Sequence, residues 1–289
     1  MKYRFMVAHR GEHRVEKMAE NLGVTRSGFY AWLRRGTAAR QAANEHLRDL
    51  IEGIQKEVHY RYGSPRMTRK LHRRGRRVGH NRVARLMRQG KLGARRRKGY
   101  RVTTKSAHAH PVAENLLQRL FRVSAANRVW ASDITYIPTA EGWMYLCVIL
   151  DLYSRRVVGW SMGQSLGVEL AVRALLMAVM HRRPPRDLLL HSDRGVQYCA
   201  GAFRRHLRRQ GIRQSMSRKG DCWDNACAET FFASLKTELI GDRIFVTREQ
   251  ARREIFEYIE VFYNRRRLHS YLGYLTPHEF EHAADGEAA

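Results

Sequence analysis

The fold of this chain is decided by residues 130–137, which read WASDITYI. Apolar, aromatic and β-branched side chains dominate the stretch, so it predicts a β-strand with a single aspartate, Asp133, near its middle. Two further strands are predicted directly after it, at 143–152 and 156–161, with only short turns between them. Three strands joined in this way form an antiparallel meander, which predicts the beginning of a larger sheet.

Beyond the meander, the hydrophobic pattern alternates between helices and short strands. The predicted helices cover residues 168–180, 203–210, 225–239 and 248–263, and the predicted strands cover residues 188–191 and 212–216. This order describes an α/β domain with a five-stranded mixed sheet and helices on both faces. We expect this core domain, with its C-terminal helices, at residues 120–289.

Three acidic residues lie where a carboxylate is costly unless a cation meets it. Asp133 is surrounded by apolar and hydroxyl side chains in its strand. Asp193 directly follows a short apolar strand, and open α/β sheets bind ligands at such strand ends. Glu229 lies in the first turns of a predicted helix, for which Asp224 is the predicted N-cap. Since these acids come from separate elements, only the tertiary structure can bring them together.

Positive charge is concentrated in the first third of the chain. The formal net charge is +27, and residues 1–110 hold 29 Lys and Arg against 7 Asp and Glu, whereas the rest holds 25 against 20. Because so large a surplus repels itself unless a polyanion is present, nucleic acid is the expected partner. A surface that is merely soluble and basic is the alternative, but such surfaces usually mix both signs.

Two helix-turn-helix outlines are predicted in this basic third. In residues 1–40, a helix over 15–22 is broken by Gly23, and Thr25 is placed to cap a second helix. The pattern is not specific by itself, because many helical hairpins that do not bind DNA also turn at a glycine.

The second outline, in residues 41–110, begins with a helix predicted over 45–58 and contains a later helix with an arginine face. The inward positions of that later helix are Val83, Leu86 and Met87, and the outward positions are Arg82, Arg85 and Arg88. An apolar stripe opposite an arginine face suits a groove of DNA, so we predict the three arginines as DNA contacts. A solvated arginine-rich helix is the alternative, because sequence does not separate base-reading from phosphate-binding side chains.

A basic tract follows this helix. Its predicted phosphate contacts are Arg95, Arg96, Arg97 and Lys98. Glycines flank the tract and a polar stretch follows, so it is typical of a linker or wing that follows the DNA backbone. Such contacts release counterions and do not depend on base sequence.

Cysteine usage and the first residues indicate the compartment. The four cysteines lie in or beside apolar stretches, and residues 1–10 lack the apolar run of a signal peptide. We therefore expect a cytoplasmic protein with buried thiols, associated with the nucleoid, and no zinc site. The apolar run at 144–152 is too short to span a bilayer, so we expect no membrane partner.

The motifs around the three acids resemble those of one known family. They are residues 130–136, residues 191–195 with Gln197 and Tyr198, and residues 224–226 followed by Glu229, Phe231 and Phe232. With 35 residues between the second aspartate and the glutamate, the set resembles the retroviral-integrase-like (DDE) transposases. More narrowly, it is similar to the OrfB-type transposase of a bacterial copy-out and paste-in insertion sequence. The resemblance extends over nearly the whole chain, including residues 62–66 and 262–274.

The resemblance implies a ribonuclease-H-like core that cleaves and transfers DNA strands by two-metal phosphoryl transfer. Asp133, Asp193 and Glu229 would hold two Mg²⁺ ions, for which Mn²⁺ can substitute, and Asp133 would bridge both. Magnesium prefers hard oxygen ligands, which suits carboxylates. The resemblance also implies DNA partners at the element ends and at the target, and a homo-oligomer assembled on DNA. It allows a partner protein encoded in an upstream frame.

Four further DNA contacts are predicted in the core domain. They are Lys236, Arg265, Arg267 and His269. Lys236 follows Glu229 by two helical turns and therefore lies on the same helix face, where its ammonium could meet a phosphate. A lysine paired with a neighbouring acid, and a solvated helix end for the other three residues, are the alternatives.

Residues beside the acids have two interpretations each. Asn225 either orients Glu229 or a ligand water, or caps its helix. His191 and Arg194 either bind the DNA strand or make structural hydrogen bonds. Asp151 ends a strand as a catalytic acid would, but we interpret it as holding the turn to Arg155.

Two other functions are compatible with the predicted fold. A ribonuclease-H-like nuclease shares the sheet order and the metal chemistry, but it has no need of a basic arm of 110 residues. A DNA-binding regulator with an inert catalytic fold has no need of three intact acids. Only a transposase joins a 3′ hydroxyl to a new phosphodiester, so a strand-transfer assay separates the three functions.

Overall fold

The computed structural model describes residues 1–34, 37–94, 112–218 and 225–286. Its contacts divide the chain into two units, Met1–Gly93 and Ala94–Ala289. The predicted contacts Arg95 to Lys98 and the predicted cap Asp224 lie outside the described residues. Within the described ranges, no helix is long and apolar enough to cross a membrane.

The first unit opens with three short helices around a small apolar core. These helices are α1 (Lys2–Ala8), α2 (Val15–Asn21) and α3 (Arg26–Arg34). Met6, Met18, Ala19 and Phe29 are the buried side chains that they share. The Thr25 hydroxyl accepts a hydrogen bond from the backbone N–H of Gly28 at 3.1 Å, which confirms Thr25 as the cap of α3. The sequence did not predict α1, because seven residues show too few apolar repeats to define a helical period.

Three longer helices complete the first unit. They are α4 (Thr37–Glu57), α5 (Ser64–Arg73) and α6 (His80–Gln89). α4 begins well before the predicted boundary at residue 45, because its first residues carry alanines with high helix propensity but no apolar stripe. The side chain of Gln55 is buried and donates from Nε2 to the carbonyl oxygens of Tyr62 (2.8 Å) and Leu92 (2.5 Å). The Gln55 side chain thus joins α4 to two loops, the one that leads from α4 to α5 and the one that follows α6.

The second unit is built on a five-stranded mixed sheet, as the sequence predicts. Its strands are β1 (Val129–Thr139), β2 (Gly142–Asp151), β3 (Val157–Gly163), β4 (Leu189–Ser192) and β5 (Arg213–Met216). The spatial order is β3-β2-β1-β4-β5. β1, β2 and β3 pair as antiparallel neighbours, whereas β4 is parallel to both β1 and β5. The meander therefore forms one side of the sheet, and β1 is the strand at which antiparallel pairing gives way to parallel pairing.

Helices follow the strands in chain order. They are α7 (Val168–Arg182), α8 (Val196–Cys199), α9 (Gly201–Arg209), α10 (Ala226–Leu235), α11 (Arg248–Phe256) and α12 (Pro277–Gly286). α10 and α11 continue as π-helical turns at Lys236–Ile240 and Glu257–Tyr263, and a 3₁₀ turn occupies Ser270–Leu272. α7 packs so closely on β3 that a Cβ atom at Gly159 would overlap the backbone of Ala174.

The C-terminal helix α12 is held to the sheet domain by one carboxylate. Glu281 is only 7% exposed. It accepts hydrogen bonds from the Ser154 hydroxyl at 2.7 Å and from the guanidinium groups of Arg156 (2.7 Å) and Arg182 (2.9 Å). Because the carboxylate is almost fully removed from water, these donors are what make its burial tolerable.

Candidate active site

Asp133 and Asp193 follow the last paired residues of two neighbouring strands. β1 and β4 pair in parallel up to Ser132 and Ser192, and the next residue on each strand is an aspartate. Neighbouring strands of a sheet lie about 4.8 Å apart. The register therefore brings together two acids that are far apart in the sequence, at the carboxyl end of the parallel strands, where such sheets bind ligands.

The carboxyl group of Asp133 is surrounded by other charges. Burial raises its pKa well above the ordinary aspartate value, and the negative charges of Asp193 and Glu229 raise it further. The backbone N–H of Ile134, which donates to Oδ1 at 2.7 Å, and the ammonium of Lys236 oppose this shift. Asp193, Glu229 and Lys236 are thus all close enough to act on the charge of Asp133.

Glu229 lies in the first turn of α10, and burial raises its pKa. The start of this helix is joined to β1 by Asn225, whose Nδ2 donates to the carbonyl oxygen of Ser132 at 3.2 Å. Asn225 occupies the N-cap position, but its side chain makes no capping hydrogen bond. The capping interpretation of this side chain is therefore wrong, and the amide instead connects α10 to the residue before Asp133.

Lys236 is the first residue of the π-helical turn after α10. Burial lowers its pKa, and the charge of Asp133 opposes that change. The ammonium therefore lies close enough to Asp133 to feel its charge. Its position is compatible with binding an anionic substrate group beside Asp133.

Neutral polar groups lie behind Asp133. The hydroxyl groups of Ser132 and Tyr198 are 2.9 Å apart, and the Cys147 thiol lies 3.7 Å from each hydroxyl oxygen. Burial raises the pKa of Tyr198 well above its ordinary value and that of Cys147 to about 12, so both stay neutral. Tyr198 belongs to a motif quoted from the sequence, but no sequence pattern shows that it lies under Asp133.

The donor set of the site is chemically suited to a hard cation. It offers carboxylate oxygens, whereas the nearby Cys147 thiol stays protonated and is a poor ligand. Within the described residues, no group of three His, Cys, Asp or Glu side chains forms a metal-binding group as it stands. The fit of the site to magnesium therefore rests on ligand type and proximity.

Comparison with known proteins decides the family. Transposase InsF for insertion sequence IS3A, from Escherichia coli (strain K12), is 43% identical over 283 residues, which cover 97% of this chain and 98% of that protein. The insertion element IS600 uncharacterized 31 kDa protein, from Shigella sonnei, is 42% identical over 91% of this chain and 97% of that protein. The chain belongs to the IS3 family of transposases. Membership of this family implies a polynucleotidyl transferase.

Family models cover both units of the transposase. Models described as "Integrase core domain" match residues 123–222 and 229–284, and one described as "HTH-like domain" matches residues 42–100. Among solved structures, the simian T-cell lymphotropic virus intasome in complex with PP2A regulatory subunit B56 gamma has 16% sequence identity and a TM-score of 0.47, covering 80% of this chain and 74% of that chain. The HTLV-2 integrase catalytic core domain in complex with magnesium has 16% identity and a TM-score of 0.43, covering 56% and 100%.

The residues that flank Asp193 in the transposase make structural hydrogen bonds. His191 is fully buried, and its ring nitrogens lie 2.9 Å from the Ser215 hydroxyl and 3.2 Å from the Ser217 hydroxyl. Arg194 donates from Nε to the carbonyl oxygen of Ser217 at 2.7 Å. A ring enclosed in this way cannot reach a DNA strand, so the structural interpretation of His191 is confirmed.

Asp151 holds the turn between β2 and β3, as the sequence analysis interprets it. Its carboxylate accepts from the backbone N–H groups of Asn127 at 2.7 Å and Tyr153 at 2.9 Å, and its carbonyl oxygen accepts from Arg155 at 2.8 Å. Burial raises the pKa of this carboxyl group. Asp151 therefore shares the strand-end position of a catalytic acid but serves the turn.

Two predicted DNA contacts of the transposase lie inside its core. Arg267 is only 5% exposed and donates to the Glu238 carboxylate from Nε at 2.8 Å and from Nη2 at 2.7 Å. His269 is also buried, with its ring 4.7 Å from that of Tyr263. The prediction that Arg267 and His269 contact DNA is corrected accordingly, because both side chains are buried and Arg267 is paired with Glu238. Arg265 is exposed.

The arginine face of α6 is partly used within the first unit. Arg82 donates from Nε to the Asn44 side chain at 2.9 Å, whereas Arg85 and Arg88 are exposed. The inward positions Val83, Leu86 and Met87 are buried, as predicted. Of the three arginines, Arg85 and Arg88 are therefore the better placed to meet a phosphate.

Proposed function

We propose that this transposase cleaves and joins DNA strands by two-metal phosphoryl transfer, with Asp133, Asp193 and Glu229 as the ligands of two Mg²⁺ ions. The observation that carries the proposal is the parallel register of β1 and β4, which ends at Ser132 and Ser192, directly before Asp133 and Asp193. The helix that carries Glu229 is hydrogen-bonded to β1 through Asn225 and Ser132, and Ser132 is the residue before Asp133. Mn²⁺ would be accepted by the same oxygen ligands.

The three acids would act together in this proposal. Asp133, Asp193 and Glu229 would hold the two ions through their carboxylate oxygens. When bound, a pair of ions activates the attacking oxygen and stabilises the departing oxygen. Because burial and neighbouring charges favour the protonated form of Asp133, binding of a cation requires loss of that proton. Metal affinity should therefore fall as the pH is lowered.

Side chains other than the three acids also contribute to the proposed site. The Lys236 ammonium, held in the field of Asp133, would bind a phosphate oxygen beside the reacting bond. The buried hydroxyl groups of Ser132 and Tyr198 place neutral side chains at the rear of the site. Low polarity behind the acids strengthens every charge interaction in front of them.

The joining step conserves the number of phosphodiester bonds. A 3′ hydroxyl at the element end attacks a phosphorus atom of the target DNA and loses its proton, while the bond from that phosphorus to the target's own 3′ oxygen breaks. The departing oxygen is then protonated. The reaction therefore needs no external energy source, and its partners are the element ends and the target DNA.

DNA contacts are proposed on both units, and the active species is proposed to be a homo-oligomer assembled on DNA. The exposed arginines Arg85, Arg88 and Arg265, together with the basic tract 95–98, would bind phosphates. A partner protein encoded in an upstream frame remains compatible with the chain.

A strand-transfer assay on a labelled element end tests the proposal. We expect Glu229→Gln to abolish cleavage and joining while DNA affinity stays within about twofold, because binding relies on arginines and chemistry on the metal. Glu249→Gln, at a glutamate whose side chain is 82% exposed in α11, is the matched control and should remain active. Cleavage without joining by the unaltered protein would indicate a nuclease, and binding without either would indicate a regulator.

A further inference from the structure

Glu229 depends on its helix for its position. The Glu229 carboxylate makes no side-chain hydrogen bond or ion pair with another described residue; burial raises its pKa, and its charge acts on Asp133. The backbone of α10 must therefore place it. An error of about 1 Å in a catalytic group can cost roughly 100-fold in rate, so the contacts that fix the first turn of α10 matter for chemistry.

The first contact is the hydrogen bond from Asn225 to the Ser132 carbonyl oxygen, 3.2 Å long. Asn225 is 5% exposed, and its Oδ1 has no hydrogen-bond partner within the described part of the chain. The orientation of the amide therefore rests on its single bond to β1. This bond fixes the distance between the N-terminal end of α10 and the residue before Asp133.

The second contact is made by Arg155, which donates from Nη1 to the sulfur of Cys227 in α10. Its Nη2 donates to the carbonyl oxygen of Phe121 at 3.1 Å, and its guanidinium carbon lies 4.1 Å from the centre of the Tyr271 ring. Arg155 itself has a left-handed backbone with φ of 60° in the turn that Asp151 holds. The guanidinium is thus fixed on several sides before it reaches α10.

The two contacts meet α10 on different sides. With about 100° of rotation per residue, Cys227 lies roughly half a turn around the helix from Asn225, and Glu229 returns to the side of Asn225. Contacts on two sides restrain rotation about the helix axis as well as translation along it.

We propose that Asn225 and Arg155 are positioning residues that hold Glu229 toward Asp133 and Asp193. The inference rests on the proposed function, since it assumes that Glu229 binds a metal ion. It also gives a function to the turn that Asp151 holds, because Arg155 belongs to that turn.

Equilibrium binding of Mn²⁺ to the full-length protein, measured from the electron paramagnetic resonance signal of free Mn²⁺, tests the proposal without relying on activity. Asn225→Ser keeps a residue type suited to the N-cap but cannot reach Ser132. Arg155→Lys keeps the charge but loses the planar fork. We expect the dissociation constant for Mn²⁺ to rise about 10-fold or more in each variant, the range found when residues that orient metal ligands are changed.

Asn264→Ala is the matched control. Asn264, which follows the π-helical turn at Glu257–Tyr263, is similarly buried and also bonds a strand backbone, through Val157 N–H and C=O at 3.0 Å each, but that strand is β3 and not β1. Its removal should lower thermal stability and leave Mn²⁺ affinity unchanged. If Arg155→Lys does not fold, Cys227→Ala replaces it, because it removes the acceptor on α10 and should change Mn²⁺ affinity in the same direction.

Glu229→Gln separates the two possible failures. If Glu229→Gln weakens Mn²⁺ binding while Asn225→Ser and the Arg155 or Cys227 variant do not, the positioning role is overturned and the metal assignment stands. If Glu229→Gln itself leaves Mn²⁺ binding unchanged, Glu229 is not a metal ligand, and it is the proposed function that is contradicted. Weakening in all of these variants but not in Asn264→Ala supports the inference.

Discussion

Asp133 is the residue at which stability and function oppose each other. Its pKa is raised above the ordinary value, so the folded protein binds its proton more tightly than the unfolded chain does. The resulting stability is complete below the ordinary aspartate pKa of about 3.9 and is lost as the pH rises through the folded-state pKa. Above the folded-state pKa and without metal, the buried charge of Asp133 therefore destabilises the fold.

Asp133→Asn should accordingly raise the melting temperature of the metal-free protein at pH 7. We expect a shift of a few degrees, which about 1 kcal/mol produces in a domain of this size. The difference should shrink as the pH is lowered toward 4, and calorimetry across this range measures it. The control is Asp187→Asn, at an exposed aspartate whose left-handed backbone Asn also adopts readily. A destabilised Asp133→Asn protein would contradict the account.

The sequence predicted a site at Asp133, Asp193 and Glu229 because a lone aspartate in an apolar strand is conspicuous and because the motifs resemble a known family; their role as metal ligands stays a prediction. It predicted Arg267 wrongly as a DNA contact, because the sequence does not distinguish an exposed arginine from one that is buried beside a glutamate far away in the chain. The partner, Glu238, is 29 residues away in the chain. Only the tertiary structure shows which arginine side chains are buried.

At the scale of the element, α10 and its π-helical turn form one unit with two roles. The first turn carries Glu229, and the turn at Lys236–Ile240 carries the buried Glu238, which accepts from Arg267 and, at 2.9 Å, from the Tyr258 hydroxyl. π-helical turns are often found at functional sites. Here the turn begins at Lys236, so the buried pair also fixes the residue that lies beside Asp133.

Arg267→Met should destabilise the protein by about 3–5 kcal/mol, because it leaves the Glu238 carboxylate buried and unpaired. Adding Glu238→Gln should recover part of this stability, since no buried charge then remains. Denaturant unfolding measures both effects. Arg265→Met, at an exposed arginine two residues away, should change stability by no more than about 0.5 kcal/mol. Unchanged stability with weakened DNA binding in Arg267→Met would restore it as a DNA contact.

Element types were predictable where periodicity was strong, and boundaries were not. The three strands of the meander were found from their apolar runs, whereas the start of α4 and the whole of α1 were missed. The π-helical ends of α10 and α11 follow from tertiary packing, which a repeating hydrophobic pattern does not describe.

At the scale of the whole molecule, positive charge is separated from the acids along the chain. Lys and Arg outnumber Asp and Glu by 29 to 7 in residues 1–110, but only by 25 to 20 in the rest of the chain. The sequence predicted this division from its composition, and it predicted the five-stranded mixed sheet from the order of strands and helices along the chain. It did not show which arginines are exposed.

The steepness with which DNA affinity falls with salt should depend on the arginines of α6. Replacing Arg85 and Arg88 with Ala in the full chain should reduce the logarithmic salt slope by about 0.9 for each phosphate that the protein no longer neutralises. Affinity for random DNA and for the element end should fall alike if both residues bind phosphates. Arg208 and Arg209, exposed arginines at the end of α9, form the matched pair and should leave the slope nearly unchanged when replaced. Equal slopes for all variants would place the DNA-binding surface elsewhere.

The bond between Ser154 and Glu281 spans 127 residues of sequence, and this separation has a consequence during synthesis. At about 5–20 residues per second, on the order of 10 s pass between the emergence of the two partners from the ribosome. Throughout that interval Arg156 and Arg182 lack the carboxylate that they share in the finished fold. A nascent chain that already carries Asp133, Asp193 and Glu229 therefore still lacks these bonds, which form only after α12 has been released.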